Sequence, residues 1–165
     1  VKYRMQSGIP PVDKGLLMCY NMGNVQQPQT ANSIIEASIL QQYIGNASSY
    51  PLPLDIALPI FNWWVWFRGQ QYKGLLPANA MQVPINKQQQ WHCQTDTVIN
   101  GYSFKAGDWL RFENSPVESI QQVISLLRPQ LNSSDIHVIL YHLDEKMLVN
   151  YETATLESFY TGFSH

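Results

Sequence analysis

Leu54-Asp-Ile-Ala-Leu-Pro-Ile-Phe-Asn-Trp-Trp-Val-Trp-Phe-Arg68 decides how this chain is read. Residues 56–61 are too continuously apolar for a half-exposed strand and too few for a membrane span. That predicts a parallel strand covered on both faces. Trp63, Trp64 and Trp66 then fall at or just beyond the strand end, where alternation sends their rings in different directions. At least one of them is expected at a surface or in a cleft. In open α/β sheets and α/β barrels, sites are built at that end of the strands.

Working outward, Gly15-Leu-Leu-Met-Cys-Tyr20 reads as a second buried strand after a turn at Pro10-Pro11. Ser33-Ile-Ile-Glu36 has the spacing of a capping box that opens a helix. Ile35, Ile39, Leu40 and Tyr43 keep helical spacing, and Gly45 is a suitable stop. Ser115-Pro-Val-Glu118 repeats the capping signal with Pro at the first helical position, and the stripe Val117, Ile120, Ile124, Leu127 runs to Pro129. Ile136 to Leu143 predicts a third buried strand, and residues 153–160 a last short helix.

The order is α/β, built of parallel β/α units with right-handed crossovers. Three strands are too few to close a barrel, and the outer ones carry little edge protection. The expectation is therefore the C-terminal part of a (β/α)8 TIM-like barrel, its strand edges covered by an upstream half. The alternative is a complete small sheet closed by self-association. Residues 69–107, rich in Gln, Asn, Pro and Gly, read as an insertion into the single unit 1–165. Their clearest signal is a hairpin about Asn100-Gly101.

The chain has 165 residues, 45% of them hydrophobic, enough for one sizeable core. Net charge is −2 without a basic cluster, which argues against nucleic acid as a partner. Only 13% of residues are charged, a balance more usual in exported or envelope proteins. Cys19 and Cys93 lack metal-like spacing, and Cys19 in an apolar strand reads as a buried free thiol. No apolar run reaches the roughly 18 residues of a membrane span. The chain opens on Val1 without a basic-then-apolar leader, so either a segment was removed or a longer polypeptide is expected.

Parallel strands would bring Tyr20 and Asn21 beside Asn62, Trp63 and Trp64, with His142 and Asp144 from the third strand. Aromatic faces pack on pyranose C–H surfaces while amides and hydroxyls meet sugar hydroxyls, so carbohydrate is the expected ligand. Tyr20 and Asp144 are the candidate catalytic residues; Asn21, Asn62, Trp63, Trp64, Arg68 and His142 are the candidate substrate contacts. Each has a structural alternative. The tryptophans can serve as core and rim, His142 as a satisfied strand-end histidine, Asp144 as a helix cap and Arg68 as an ion-pair partner. Asp55 belongs at the opposite, stability end of its strand. Glycoside hydrolysis uses two carboxylates, and beyond Asp144 only the more remote Glu113 offers itself. No phosphate loop, dinucleotide fingerprint or Gly-x-Ser-x-Gly elbow is present, and the scattered His92, His137, His142 and His165 predict neither metal nor cofactor. Asn46-Ala-Ser48 and Asn132-Ser-Ser134 match the glycosylation tripeptide.

Leu16-Leu-Met-Cys-Tyr-Asn-Met-Gly23 resembles the Met-x-Tyr-Asp/Asn strand of family-18 chitinase-like barrels. The matching positions are Met18, Tyr20 and Asn21, and the resemblance implies that Tyr20 helps hold a substrate acetamido group. The wider pattern, including Leu52-Pro-Leu-Asp-Ile-Ala-Leu-Pro-Ile-Phe-Asn-Trp63 and Leu140-Tyr-His-Leu-Asp144, resembles uncharacterised Bacteroidetes lipoproteins with barrel folds. That resemblance implies a place in the cell envelope or periplasm. The chitinase-type acid motif Asp-x-x-Asp-x-Asp-x-Glu is absent; in the family it lies on an earlier strand. The resulting expectation is a carbohydrate-handling protein resembling glycoside hydrolases, not catalytic through these residues alone. The alternatives are a non-catalytic glycan-binding or scaffold protein, or a protein-interaction module using residues 70–94.

Overall fold

The computed structural model describes residues 8–45, 47–131, 135–142 and 144–163. Its strands in chain order are β1 (Gly15–Met18), β2 (Leu54–Pro59), β3 (Trp63–Arg68), β4 (Gln71–Pro77), β5 (Gln90–His92), β6 (Thr97–Ile99), β7 (Tyr102–Phe104), β8 (Asp108–Glu113) and β9 (Val138–Tyr141). The α-helices are α1 (Ala37–Ile44), α2 (Val117–Leu127), α3 (Glu145–Leu148) and α4 (Thr153–Thr161).

β1, β2 and β9 form a three-stranded parallel sheet with β2 in the centre, Leu17 opposite Ile56 and Leu58 opposite Leu140. Those residues face a core filled by Leu40 and Ile44 of α1, Ile120, Val123 and Leu127 of α2, and Phe159 of α4. Among the described residues the sheet goes no further. The expected (β/α)8-like barrel of parallel units is not what the chain builds, because most of its strands lie in antiparallel sheets.

The physical reason lies in the deciding stretch. It is two strands, not one strand with an aromatic rim. The chain leaves β2 at Pro59 and passes through the buried Ile60 and Phe61. It then enters β3, which pairs antiparallel with β4 on one side and β8 on the other. Covered on both faces, β3 reads as apolar throughout, so its period cannot be told from that of a buried parallel strand. The four-stranded sheet runs β4-β3-β8-β5. Residues 69–107 thus supply β4 and β5 of this sheet as well as the β6–β7 hairpin.

A second core packs Trp64, Leu76 and Leu110 against Met81, Cys93 and Phe104. The hairpin turns at Asn100 (φ 48°) and Gly101 (φ 84°). Both central residues have positive φ, the type I′ geometry that matches strand twist. The Asn100 amide also donates to Ala80 O at 2.9 Å, which fastens the hairpin to the chain after β4.

Neither capping box forms as spaced. Ser33 is drawn to Glu113, Asn32 Oδ1 accepts from Ile34 N (2.8 Å), and α1 starts later, capped by Glu36 through Ser38 N. Ser115 Oγ donates to Phe61 O (3.0 Å) instead of capping α2. Asn46, Asn132 and Leu143 of the motifs above lie outside the described residues. Among the described residues no helix is long and apolar enough to cross a membrane.

Candidate functional site

The C-terminal ends of the three parallel strands meet the start of β3 at a shared rim. Tyr20, just past β1, stacks on Tyr141 of β9 with centroids 4.9 Å apart and planes 8° from parallel. Phe61 stands edge-on to both (6.0 and 5.8 Å) and tilts against Trp63 at 5.2 Å. His142 lies over Phe61 at 6.0 Å, and the Tyr141–His142 peptide bond is cis. A cleft of about 400 Å³ opens here, lined by Asn21, Asn62, Trp63, Tyr141 and His142 on one side and by Leu75 and Pro77 of β4 on the other. Tyr141 is 44% exposed, so one ring faces solvent with its back against Tyr20. Asn21 reaches the cleft from left-handed backbone, φ 54°, a conformation asparagine tolerates better than most residues.

Trp63 is held from behind. Its Nε1–H donates to Glu113 Oε2 at 2.9 Å, and the same oxygen accepts from Ser33 N (3.0 Å) and Ser33 Oγ (2.5 Å). The other oxygen, Oε1, accepts from Arg111 Nε at 2.7 Å. Arg111 is 2% exposed and spends its remaining donors on the carbonyls of Val25, Gln27 and Pro28. A buried ion pair is tolerated only when both partners are this well hydrogen-bonded. One network thus pins the loop before α1, the antiparallel sheet and the indole at the cleft wall.

The structure brings together Tyr20, Asn21, Asn62, Trp63 and His142, sends Trp64 and Arg68 elsewhere, and employs Asp144 as a helix cap. Trp64 is in the second core, its Nε1–H donating to Ala78 O (3.1 Å). Arg68, at the far end of β3, makes a bidentate pair with buried Asp108 at 2.7 and 2.9 Å. The Trp66 indole N–H joins that carboxylate at 3.1 Å. Asp144 caps α3, accepting from Lys146 N at 2.8 Å, and lies 4.0 Å from His142 at the rim. Asp55 sits at the opposite end of its sheet, where Lys14, Asp135 and His137 tie the strand starts together. Burial pushes the Asp55 carboxyl up, but hydrogen bonds from His137 and the charge of Lys14 outweigh it and leave its pKa lowered.

Sequence reasoning missed Phe61 and Tyr141 as wall residues and the Arg111–Glu113 pair as the support of Trp63. The signal for the last two was legible: Arg111 and Glu113 stand two apart in an apolar strand, hence on one face. Charges so placed must find each other or another partner.

Burial raises the Tyr20 hydroxyl above its ordinary pKa, with Tyr141 and Cys19 adding to the effect. Tyr20 therefore stays a neutral donor and acceptor. The Cys19 thiol is pushed up to about 12 by burial, an inert core group. Glu113 is saturated by its four donors, and Asp144 is engaged as a cap. Among the described residues no three His, Cys, Asp or Glu side chains stand together in a way that could hold a metal ion. Comparison with protein-family models, with curated proteins and with solved structures found no match.

Proposed function

We propose that the cleft between the parallel rim and β4 binds a neutral, hydroxyl-rich ligand, a glycan, without cleaving it. The observation that carries this reading is the pairing of the half-exposed Trp63 and Tyr141 rings with the amides of Asn21 and Asn62 around one opening. Flat apolar faces take the C–H surface of a sugar ring, and the amides both donate to and accept from hydroxyls. Binding is favoured over hydrolysis because the two nearest carboxylates are committed. Cleavage needs two carboxyl groups flanking one bond, one free to donate a proton. Glu113 lies behind Trp63 with every contact oxygen occupied, and Asp144 holds the first turn of α3.

The test is a titration of soluble oligosaccharides, neutral and N-acetylated, followed by tryptophan fluorescence and calorimetry. At least one class is expected to bind. Tyr141→Ala should weaken it about tenfold, in line with the roughly 1.5 kcal/mol a stacked ring contributes. Trp109→Phe, on the far side of the antiparallel sheet, should leave it unchanged. A panel without any response, or binding that Tyr141→Ala does not alter, overturns the reading.

A further inference from the structure

Among the described residues, strand β1 is an edge with nothing to blunt it. Gly15 N and Cys19 N donate inward, to Pro53 O (2.9 Å) and Ala57 O (2.8 Å). Alternation along the strand then turns the N–H and C=O groups of Leu16 and Met18 outward. Among the described residues no strand pairs with that side. Natural edges are guarded by lysine, proline or a bulge; Gly-Leu-Leu-Met carries none of these. On the helix side of the edge runs an apolar groove of about 340 Å³, lined by Leu17, Met22, Leu40, Tyr43 and Ile44. On the other side Leu16 and Met18 are 49% and 61% exposed.

We propose that β1 pairs antiparallel with β1 of a second copy about a two-fold axis at Leu17, joining two three-stranded sheets into one of six. The strand is complementary to itself in that register. A two-fold axis at Leu17 sets Leu16 opposite the partner's Met18, and Met18 opposite the partner's Leu16. These are the two residues whose backbone groups point outward, so each pair exchanges both its hydrogen bonds. Leu17 meets the partner's Leu17 as the close, non-hydrogen-bonded pair, on the helix side where the groove lies. Leu16 and Met18 of both copies merge into one apolar strip on the opposite face. The paired residues 15–19 carry no charge, so the copies approach without like-charge repulsion. A second copy in this register sets only apolar side chains against one another and covers the exposed Leu16 and Met18 of both copies with like surface. The contact is short, and interfaces that bury less than about 1,200 Å² are weak and transient. The dimer is therefore concentration-dependent.

Sedimentation equilibrium over rising concentration should show the mass moving from one chain toward two. Met18→Pro removes one outward N–H and leaves the inward bonds of β1 intact, so it should hold the protein at one chain. If circular dichroism shows Met18→Pro unfolded, Met18→Lys, at a side chain already in solvent, should do the same. Leu17→Cys should cross-link to a covalent dimer on mild oxidation, because the close pair of an antiparallel ladder is within disulfide reach. Leu16→Cys, which faces the partner's Met18, should not. The buried Cys19 thiol stays protonated and does not compete. A single-chain mass at every concentration overturns the proposal, whether the edge takes another strand or none. A dimer unmoved by the folded Met18 variants, or cross-linking equally at 16 and 17, overturns it as well.

Discussion

At the scale of single residues, two ion pairs of this chain differ in what they hold. Arg68 and Asp108 close a strand end: the guanidinium grips both carboxylate oxygens while Lys105 N (3.0 Å) and the Trp66 indole complete the ring of donors. The exposed pair of Lys105 with Asp96 has the same formal charges at 2.8 Å but stands in water on both sides, where screening leaves little. The Arg68 hydrogen bonds lower the Asp108 carboxyl below its ordinary 3.8, against the opposing effect of burial. A carboxylate depressed on folding stabilises fully above its unfolded pKa and loses that contribution as pH falls through the folded one. Asp108 therefore stabilises the fold at neutral pH and loses that contribution progressively as pH falls below 3.8 toward its lowered folded value. In Asp108→Asn the urea midpoint should fall at neutral pH, and its further drop on going to pH about 3 should be shallower than in the parent. Parallel profiles for the two proteins would show that the pair carries no share of the acid limb.

Among the elements, the β6–β7 hairpin has the most specific chemistry. Gly101 sits at φ +84°, where a side chain is strained whatever space surrounds it. Left-handed backbone costs an L residue roughly 1–2 kcal/mol, so Gly101→Val should lower the unfolding free energy by about that amount. Gly45, after α1, is right-handed (φ −53°) with open space around it, and Gly45→Ala should leave stability unchanged or raise it. Equal urea midpoints for the two variants would refute the turn geometry. This hairpin was legible in Asn100-Gly101 because a type I′ turn has a strict residue demand. The three parallel strands were legible as apolar runs, and α2 in the spacing of Ile120, Ile124 and Leu127. The rest was hidden for physical reasons. A strand buried on both faces, such as β3, has no period to betray its partner's direction. β5 is three residues long and begins in a glutamine run. Serines spaced for capping boxes, Ser33 and Ser115, are claimed by tertiary acceptors. The barrel expectation came from supposing that every parallel edge is covered within one chain; among the described residues the parallel sheet has three strands. Of the expected site, Tyr20, Asn21, Asn62, Trp63 and His142 converge because they follow strand ends, which the runs did locate.

Across the whole molecule the signals of structure are divided with unusual clarity. All five tryptophans lie in the antiparallel sheet, on β3, β5 and β8. The helices that pack on a sheet, α1, α2 and α4, lie against the parallel one. Tryptophan fluorescence therefore reports one half and far-ultraviolet circular dichroism mainly the other. Several ties join them, among them the continuous passages from β2 into β3 and from β8 into α2, the Ser115 hydroxyl on Phe61 O, the Asn32 amide on Asn114 O, and the buried Arg111–Glu113 pair with Ser33. The last should dominate cooperativity, because separating the halves would strip Glu113 of Ser33 and Arg111 of the carbonyls of Val25, Gln27 and Pro28. Removing one partner of such a pair typically costs about 3–5 kcal/mol. The parent is accordingly expected to unfold in urea with coincident fluorescence and dichroism transitions, the signature of a two-state process. Glu113→Gln keeps the shape but not the charge. It leaves Arg111 uncompensated, so the fluorescence transition should move to lower urea and run ahead of the dichroism. Because Glu113 also holds the Trp63 indole, the native emission of the variant should shift before any denaturant is added. Transitions that stay superimposed at the parental midpoint would mean that the other ties, not the buried pair, couple the two sheets.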